Sequence, residues 1–188
     1  MIEVIDDVLP ENQYEVLNRL LTAHDFMWRW ADGTVDSKIE GRDTPQFVRP
    51  IYLNSDSPDV NKEENLLSKR YPEFFNIAYH ALEKSERVFG APNSFVRIKA
   101  NLLTPWPDAP RFHPPHVDTD AENGMSCIYY LHDSDGDTFF FGEKNITVTP
   151  KTNRAVLFDA HHRHCSSNPI NNDRRIIVNS VFLIDKEN

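Results

Sequence analysis

Apolar positions near the start of the chain predict a short strand followed by a helix. Residues 2–5 read as the strand. Pro10 then favours a first helical turn, because the N–H that proline lacks has no helical partner at that position. Apolar side chains after it recur on one helical face: Tyr14, Leu17, Leu20 and Leu21.

A second helix is predicted after Pro72, which is again favourable at a first turn. Three apolar side chains follow at helical spacing: Phe75, Ala78 and Leu82. Gly90 and Pro92 end this helix. We expect it to pack against a sheet.

Extended segments are predicted between the two helices. They comprise Phe26–Trp30 and Phe47–Leu53. The polar stretch from Ala31 to Gln46 contains Gly33, Gly41 and Pro45 and predicts a long loop. A loop of this length is either disordered or a lid over a site.

The second half of the chain consists of short apolar runs separated by turn residues. Six runs predict strands: Ser94–Leu103, Ser126–Leu131, Thr138–Phe141, Ile146–Thr149, Arg154–Phe158 and Arg175–Ile184. Many short strands at close spacing are typical of a sandwich or barrel. The pattern therefore predicts a mainly β fold with flanking helices, in which residues 1–93 support a β core at 94–184.

Length and composition indicate one globular domain. The chain has 188 residues, 39% of them hydrophobic and 26% charged, which is enough to bury a core. A net charge of −9 argues against broad binding to nucleic acid. The cysteines, Cys127 and Cys165, form no Cys-x-x-Cys motif, and we find neither a signal peptide nor a membrane span. We therefore expect a cytoplasmic protein without a membrane partner; its oligomeric state cannot be read from the sequence.

A candidate metal site is the most informative motif. Residues two apart on a strand face the same side, so His116 and Asp118 would offer a nitrogen and an oxygen to one point, with Val117 facing away. A His from the region of residue 164 would complete the two-His, one-carboxylate set that holds non-haem Fe(II). Arg175, downstream, has a forked guanidinium that can bind a carboxylate in a bidentate manner.

The chain from about residue 94 to 184 resembles the Fe(II)- and 2-oxoglutarate-dependent oxygenases, particularly the prolyl 4-hydroxylase-like branch. Besides the His-x-Asp motif, four flanking blocks in the same order carry the resemblance: Ser126–Leu131, Gly136–Phe139, Val148–Lys151 and Arg154–Phe158. The resemblance implies a double-stranded β-helix (jelly-roll) core. It also implies Fe(II), 2-oxoglutarate and O2, with ascorbate as a further cofactor, and hydroxylation of a C–H bond with release of succinate and CO2.

The resemblance also selects among neighbouring candidates. The family places its distal His five residues after a position like Asp159, which favours His164 over His161 and His162. Counting back four residues from Asn179 favours Arg175 over Arg174. The alternative is that both arginines are ordinary charges at a sheet edge.

Tyr130 and Ile128 are the other residues that the resemblance places around 2-oxoglutarate. In the family the second Tyr of this strand hydrogen-bonds the distal carboxylate; the alternative is a buried aromatic with a satisfied hydroxyl. Alternation puts Ile128 and His132 on the same side as Tyr130. His132 receives no role at the metal.

Three further residues lie near the motif. Pro114 and Pro115 impose an extended path, so we expect His113 at the pocket mouth, as an entrance residue or a plain surface histidine. Trp106 lies in a rigid proline-rich stretch that lines a substrate groove or is merely a stiff loop. Cys165 is either a thiol open to oxidation or a small packed side chain.

Two other readings of the motif remain open. The same three donors could hold Zn(II) and activate water for hydrolysis, although Arg175 has no evident role there. A non-catalytic binding module on the same fold is the other alternative. Within the oxygenase reading, the substrate is a peptidyl, prolyl-type side chain, or alternatively a free amino acid or other small metabolite.

Overall fold

The computed structural model describes residues 1–35, 41–54, 65–87 and 90–185. Three helices lie in these ranges: α1 (Glu11–Leu21), α2 (Asn65–Arg70) and α3 (Glu73–Lys84). Ten strands accompany them: β1 (Ile2–Ile5), β2 (Arg29–Ala31), β3 (Gln46–Leu53), β4 (Pro92–Leu103), β5 (Gly124–Tyr130), β6 (Thr138–Phe140), β7 (Ile146–Val148), β8 (Arg154–Asp159), β9 (His164–Ser166) and β10 (Arg175–Ile184). The prediction of a mainly β fold with flanking helices is confirmed.

The strands form two antiparallel sheets. The larger sheet has the order β1-β8-β5-β10-β4-β3-β2, and the smaller one has the order β7-β6-β9. Strands that are far apart in sequence, such as β5 and β10, therefore lie side by side. This topology brings Lys99 of β4, Ile128 of β5 and Arg175 of β10 to one pocket.

Alternation along the central strands separates a helix-facing core from a pocket-facing surface. On β5, Cys127 and Tyr129 belong to the core that α1 and α3 cover, whereas Ile128 and Tyr130 belong to a second cluster on the opposite face. Because successive side chains of a strand point to opposite faces, each central strand contributes to both. Apolar side chains of α1 and α3, such as Leu17 and Ile77, fill the first core.

Differences from the sequence-based elements have local causes. Pro92 begins β4, and α3 ends already at Lys84. The extended stretch predicted from Phe26 is wrong at its start, because the Phe26 N–H donates to the Ala23 carbonyl in a turn (3.1 Å). Helix α2 and strand β9 were not predicted, since segments of six and three residues give little periodicity.

The predicted loop between Ala31 and Gln46 lies partly outside the described residues, which omit 36–40. In its described part, Asp43 accepts hydrogen bonds from the Thr34 N–H (2.7 Å) and hydroxyl (2.8 Å). A lid function therefore stays a prediction. In the ranges that the structure describes, no helix has the length and apolar character that crossing a membrane requires.

Candidate active site

His116 and His164 are held opposite each other by the backbone. The N–H of each residue donates to the carbonyl of the other, with both N···O distances at 2.9 Å. This is an isolated bridge, so the prediction that His116 and Asp118 lie on a regular strand is wrong. Pro114 and Pro115 have no N–H to continue a ladder. The side chains nevertheless converge, because the Asp118 N–H is anchored on the Ala160 carbonyl (3.0 Å).

Both imidazoles are oriented by backbone carbonyls. His164 Nδ1 lies 2.9 Å from the His162 carbonyl oxygen, and His116 Nδ1 lies 3.4 Å from that of Pro114. Since a carbonyl oxygen only accepts, Nδ1 is the donor in both pairs, which leaves Nε2 of each ring as the nitrogen available to a metal. Burial is the main cause that lowers the pKa of His116 to about 4, and the neighbouring His164 is the second. His116 is therefore neutral and able to bind a metal at ordinary pH.

Asp118 is held by three polar side chains. Arg97 Nη2 donates to Oδ1 (2.9 Å), Ser126 Oγ donates to Oδ2 (2.7 Å), and Asn179 Nδ2 lies 3.2 Å from Oδ1. Burial alone would raise the pKa of this carboxyl group, but Arg97, His164 and the Ser126 hydrogen bond together hold the pKa below its usual value. Asp118 is therefore a fixed carboxylate.

The three predicted ligands meet in space. One donor atom from each of His116, Asp118 and His164 lies within 4.8 Å of the others, and His164 Nε2 is 3.7 Å from Asp118 Oδ2. His161 is exposed and bonds Asp159, and His162 is not part of this group. Two imidazole nitrogens and a carboxylate oxygen suit Fe(II), and also Zn(II).

Arg175 is a buried cation beside the triad. Its side chain reaches the Gly136 carbonyl through Nε (2.6 Å) and the Thr138 hydroxyl through Nη2 (2.8 Å). Only 3% of the residue is exposed, and no described carboxylate lies within 4.0 Å of its guanidinium. Arg174, by contrast, is exposed. A buried guanidinium without a carboxylate partner fits an anionic ligand.

Tyr130 lies behind Arg175 and contacts it partly through Thr138. The Tyr130 hydroxyl donates to Thr138 Oγ1 (2.8 Å), which also accepts from Arg175. Ile128 lines the pocket on the same face of β5. The expectation that His132 shares this face is wrong: β5 ends at Tyr130, and His132 Nε2 lies 2.7 Å from Asn18 Oδ1 on α1.

His116, His164 and Arg175 line one pocket. The space inside it, including the part that is open to solvent, is about 460 Å³. Sequence reasoning missed several polar residues that line it, among them Gln46, Lys99, Asn101 and Thr138. The available signal was the alternation Arg97, Ile98, Lys99, Ala100, Asn101, which indicates a strand with one polar face turned to a site.

The expectation of an exposed His113 at the pocket mouth is wrong. His113 is 1% exposed and its Nε2 lies 2.8 Å from Asn168 Oδ1 and 3.0 Å from Thr44 Oγ1. Nδ1 lies 3.0 Å from the Ser166 hydroxyl. The two prolines that follow make the segment extended, but extended backbone can also be buried, and here it carries the ring inward.

Trp106 is exposed, whereas Cys165 is buried. Trp106 is 41% exposed and its ring centroid is 6.3 Å from that of Trp30, so a groove function stays a prediction. Cys165 is buried, and burial raises the pKa of its thiol to about 12. A protonated thiol is a poor nucleophile, so Cys165 is a packed side chain.

The sequence around the triad is similar to a known family. Residues 108–182 match the model of the 2OG-Fe(II) oxygenase superfamily. Its enzymes use Fe(II), 2-oxoglutarate and O2, and family and fold together point to a 2-oxoglutarate-dependent dioxygenase.

Solved structures share the fold across nearly the whole chain. A prolyl-4-hydroxylase from Pseudomonas putida is 15% identical with a TM-score of 0.57, covering 98% of this chain and 92% of its own. A prolyl hydroxylase from Trichoplax adhaerens in complex with a hypoxia-inducible-factor peptide is 14% identical with a TM-score of 0.59 (97% and 83% covered). The 2-oxoglutarate-dependent epimerase SnoN from nogalamycin biosynthesis is 15% identical with a TM-score of 0.60 (97% and 77%).

These likenesses confirm the predicted jelly-roll-like fold with flanking helices. No curated protein matches the chain by sequence. At such low identity the solved structures show the fold and not the substrate. The division of the chain at residues 93 and 94 stays a prediction.

Proposed function

We propose that the protein hydroxylates a C–H bond of a prolyl-type amino-acid side chain, using Fe(II) and 2-oxoglutarate held in the pocket described above. One observation carries the proposal: the buried cation Arg175 lines the same pocket as His116 and His164. A metal triad alone would also suit a zinc hydrolase. A carboxylate-binding arginine beside it is what a dicarboxylic co-substrate requires.

His116 and His164 would bind the iron through Nε2, and Asp118 would bind through Oδ2, the oxygen nearer to His164. Arg97 and Ser126 would keep the carboxylate in place during turnover. Three protein ligands leave the remaining positions of the ion open for 2-oxoglutarate and O2. When bound, iron and 2-oxoglutarate supply the oxidising chemistry, with succinate and CO2 as products.

Arg175 would bind the distal carboxylate of 2-oxoglutarate. Thr138 orients the guanidinium, and the buried hydroxyl of Tyr130 fixes Thr138 in turn. Ile128 would pack against the aliphatic part of the co-substrate. In this proposal Tyr130 is a positioning residue, because its hydroxyl is directed at Thr138.

The prolyl-type side chain is supported by the resemblance of the motif blocks to the prolyl 4-hydroxylase-like branch and by two prolyl hydroxylases among the structural neighbours. The epimerase neighbour shows that the fold also accommodates other chemistry. Trp106, whose ring centroid lies 6.3 Å from that of Trp30, would line the substrate entrance. A requirement for ascorbate is a further prediction.

The proposal is tested by anaerobic titration. Purified protein with Fe(II) under argon should develop a metal-to-ligand charge-transfer absorption when 2-oxoglutarate is added, and His116→Ala should not. In air, the wild type should release succinate, and incubation with a peptide and amino-acid library should add the mass of one oxygen to a prolyl-type substrate.

Each rival has a distinct result in the same experiment. Hydrolysis supported by Zn(II) without any charge-transfer band would overturn the proposal in favour of a zinc hydrolase. Equal succinate backgrounds in the wild type and in His116→Ala would favour a binding module without activity. A product oxidised at another position would refute only the prolyl-type substrate.

A further inference from the structure

Lys99 is a second cation in the pocket. It lies on β4 opposite Asn179 of β10, and its side chain lines the pocket together with His116 and Arg175. Among the described residues it has neither a carboxylate within 4.0 Å nor a hydrogen-bond partner. Placing an ammonium group in such a position is unfavourable unless an anion binds it.

The charges around the pocket would not cancel once the metal and the co-substrate are bound. Fe(II) and the 2-oxoglutarate dianion would cancel each other, and Asp118 is already paired with Arg97. Arg175 is the partner of the distal carboxylate in the proposed function, so Lys99 is the pocket cation that keeps no counter-ion among the described residues. A bound substrate with a negative charge would therefore be stabilised after the co-substrate is in place.

The burial of Lys99 is consistent with an anionic ligand at this position. Desolvation, together with the nearby positive charge of Arg97, lowers the pKa of Lys99 to about 8. The ammonium form therefore still dominates at neutral pH, but at a cost that an anionic ligand would offset.

Two neighbouring amides provide acceptors next to this cation. Asn101 Nδ2 donates a hydrogen bond to Gln46 Oε1 (2.7 Å), while the buried Asn101 Oδ1 has no hydrogen-bond partner among the described residues. Asn179 Nδ2 likewise donates a hydrogen bond to Asp118, and Asn179 Oδ1 has no hydrogen-bond partner among the described residues. Lys99 and Asn101 lie on one face of β4, so a cation and a free acceptor stand next to each other.

We propose, on the basis of the proposed function, that the substrate carries a free carboxylate, which Lys99 binds. Next to this carboxylate, an N–H or O–H group of the substrate donates a hydrogen bond to Asn101 Oδ1. This chemistry describes an amino acid with a free α-carboxylate, either as the free molecule or at the C-terminus of a peptide. It excludes a prolyl residue in the interior of a peptide as the preferred substrate.

The experiment compares acids with their uncharged amides. Protein loaded with Ni(II) and 2-oxoglutarate, which does not turn over, is titrated calorimetrically with free amino acids, N-acetyl amino acids and dipeptides, each as the carboxylate and as the carboxamide. Because one charge-assisted hydrogen bond is lost, we expect carboxylates to bind about 10- to 100-fold more tightly than their amides. Free amino acids and dipeptides distinguish the two sources of the carboxylate.

Variants assign the preference to Lys99. Lys99→Met should abolish the difference between acid and amide, and Lys99→Arg should retain most of it. Lys144→Met removes an exposed lysine in the turn between β6 and β7 and serves as the matched control, in which the preference should be unchanged.

Three outcomes would overturn the inference. Acids and amides could bind the wild type with equal affinity, or the preference for acids could persist in Lys99→Met. Alternatively, Lys99→Met could weaken the binding of 2-oxoglutarate as much as it weakens the binding of the acids, and Lys99 would then be a residue that binds the co-substrate. Failure of the proposed function looks different, since 2-oxoglutarate would then not bind in a metal-dependent manner at all.

Discussion

His116 and His164 lie directly opposite each other, with two reciprocal backbone hydrogen bonds of 2.9 Å and ring centroids 4.6 Å apart. The bridge joins a proline-rich segment to the short strand β9 and gives the proposed metal site a geometry that does not depend on the side chains alone. His161 and His162, which precede β9, take no part in this bridge.

Replacing His164 by Ala should therefore abolish tight metal binding, whereas His162→Ala should leave it within a few-fold of the wild type. The loss in His164→Ala should exceed the roughly 10- to 100-fold that removal of an outer hydrogen-bond partner costs. Anaerobic calorimetry with Fe(II) measures both affinities, and circular dichroism checks that the fold is retained. Equal losses in the two variants would contradict the assignment of His164.

Arg175→Met should weaken 2-oxoglutarate binding by about 10- to 100-fold for each charge-assisted hydrogen bond that is lost. Arg174→Met is the matched control and should bind 2-oxoglutarate normally, because Arg174 is exposed. The dissociation constant of 2-oxoglutarate is measured in the presence of Mn(II). If Arg174→Met had the larger effect, the choice between the two arginines would be wrong.

Gly136→Ala should disturb the same anion site through sterics. An added Cβ would lie 2.8 Å from the Ser167 carbonyl oxygen, 2.9 Å from Arg175 Cδ and 2.9 Å from the Pro169 backbone nitrogen. We expect a loss of about 1–3 kcal/mol in the free energy of unfolding, as in other overpacked sites, together with weaker 2-oxoglutarate binding. Gly90→Ala, at a position where no atom of the described residues lies within 4 Å, should change neither quantity in urea titration and calorimetry.

His113→Leu should lower the free energy of unfolding by about 1–3 kcal/mol, because it leaves buried hydrogen-bonding groups of Thr44, Ser166 and Asn168 without their imidazole partner. His24→Leu replaces an exposed histidine and should be nearly neutral. Urea unfolding of both variants at pH 8 measures the difference. Similar stabilities would show that the buried network contributes little.

The same histidine should make stability depend on pH. Burial, with a further contribution from Arg175, lowers the pKa of His113 below its usual 6.5. The unfolded chain therefore takes up a proton below about pH 6.5 that folded His113 does not accept, so stability is complete above this pH and decreases as the pH falls. His113→Leu should show a shallower decrease in urea midpoint between pH 7 and pH 5. Some slope should remain, since the pKa values of His116, His132 and His162 are lowered too.

The periodic parts of the chain were predictable from the sequence. Helix α1 begins after Pro10 as predicted, and β10 has the predicted bounds from Arg175 to Ile184, because each is long enough to repeat its apolar spacing several times. Strand β9 has three residues and no repeat, so only its pairing with β6 defines it. The burial of His113 was not predictable for a related reason, since its partners Thr44 and Asn168 are more than fifty positions away.

The sequence by itself determined which chemical groups are available: a His-x-Asp motif, a distal histidine, an arginine at a fixed spacing, and the alternation that directs Ile128 and Tyr130 to one face of their strand. Only the tertiary structure decided that Arg97 and Ser126 hold Asp118, that Thr138 links Tyr130 to Arg175, and that Lys99 enters the pocket without a partner among the described residues. Local patterns specify the direction of a side chain within its own strand. Which strands become neighbours depends on burying the whole apolar surface at once, and no single segment contains that information.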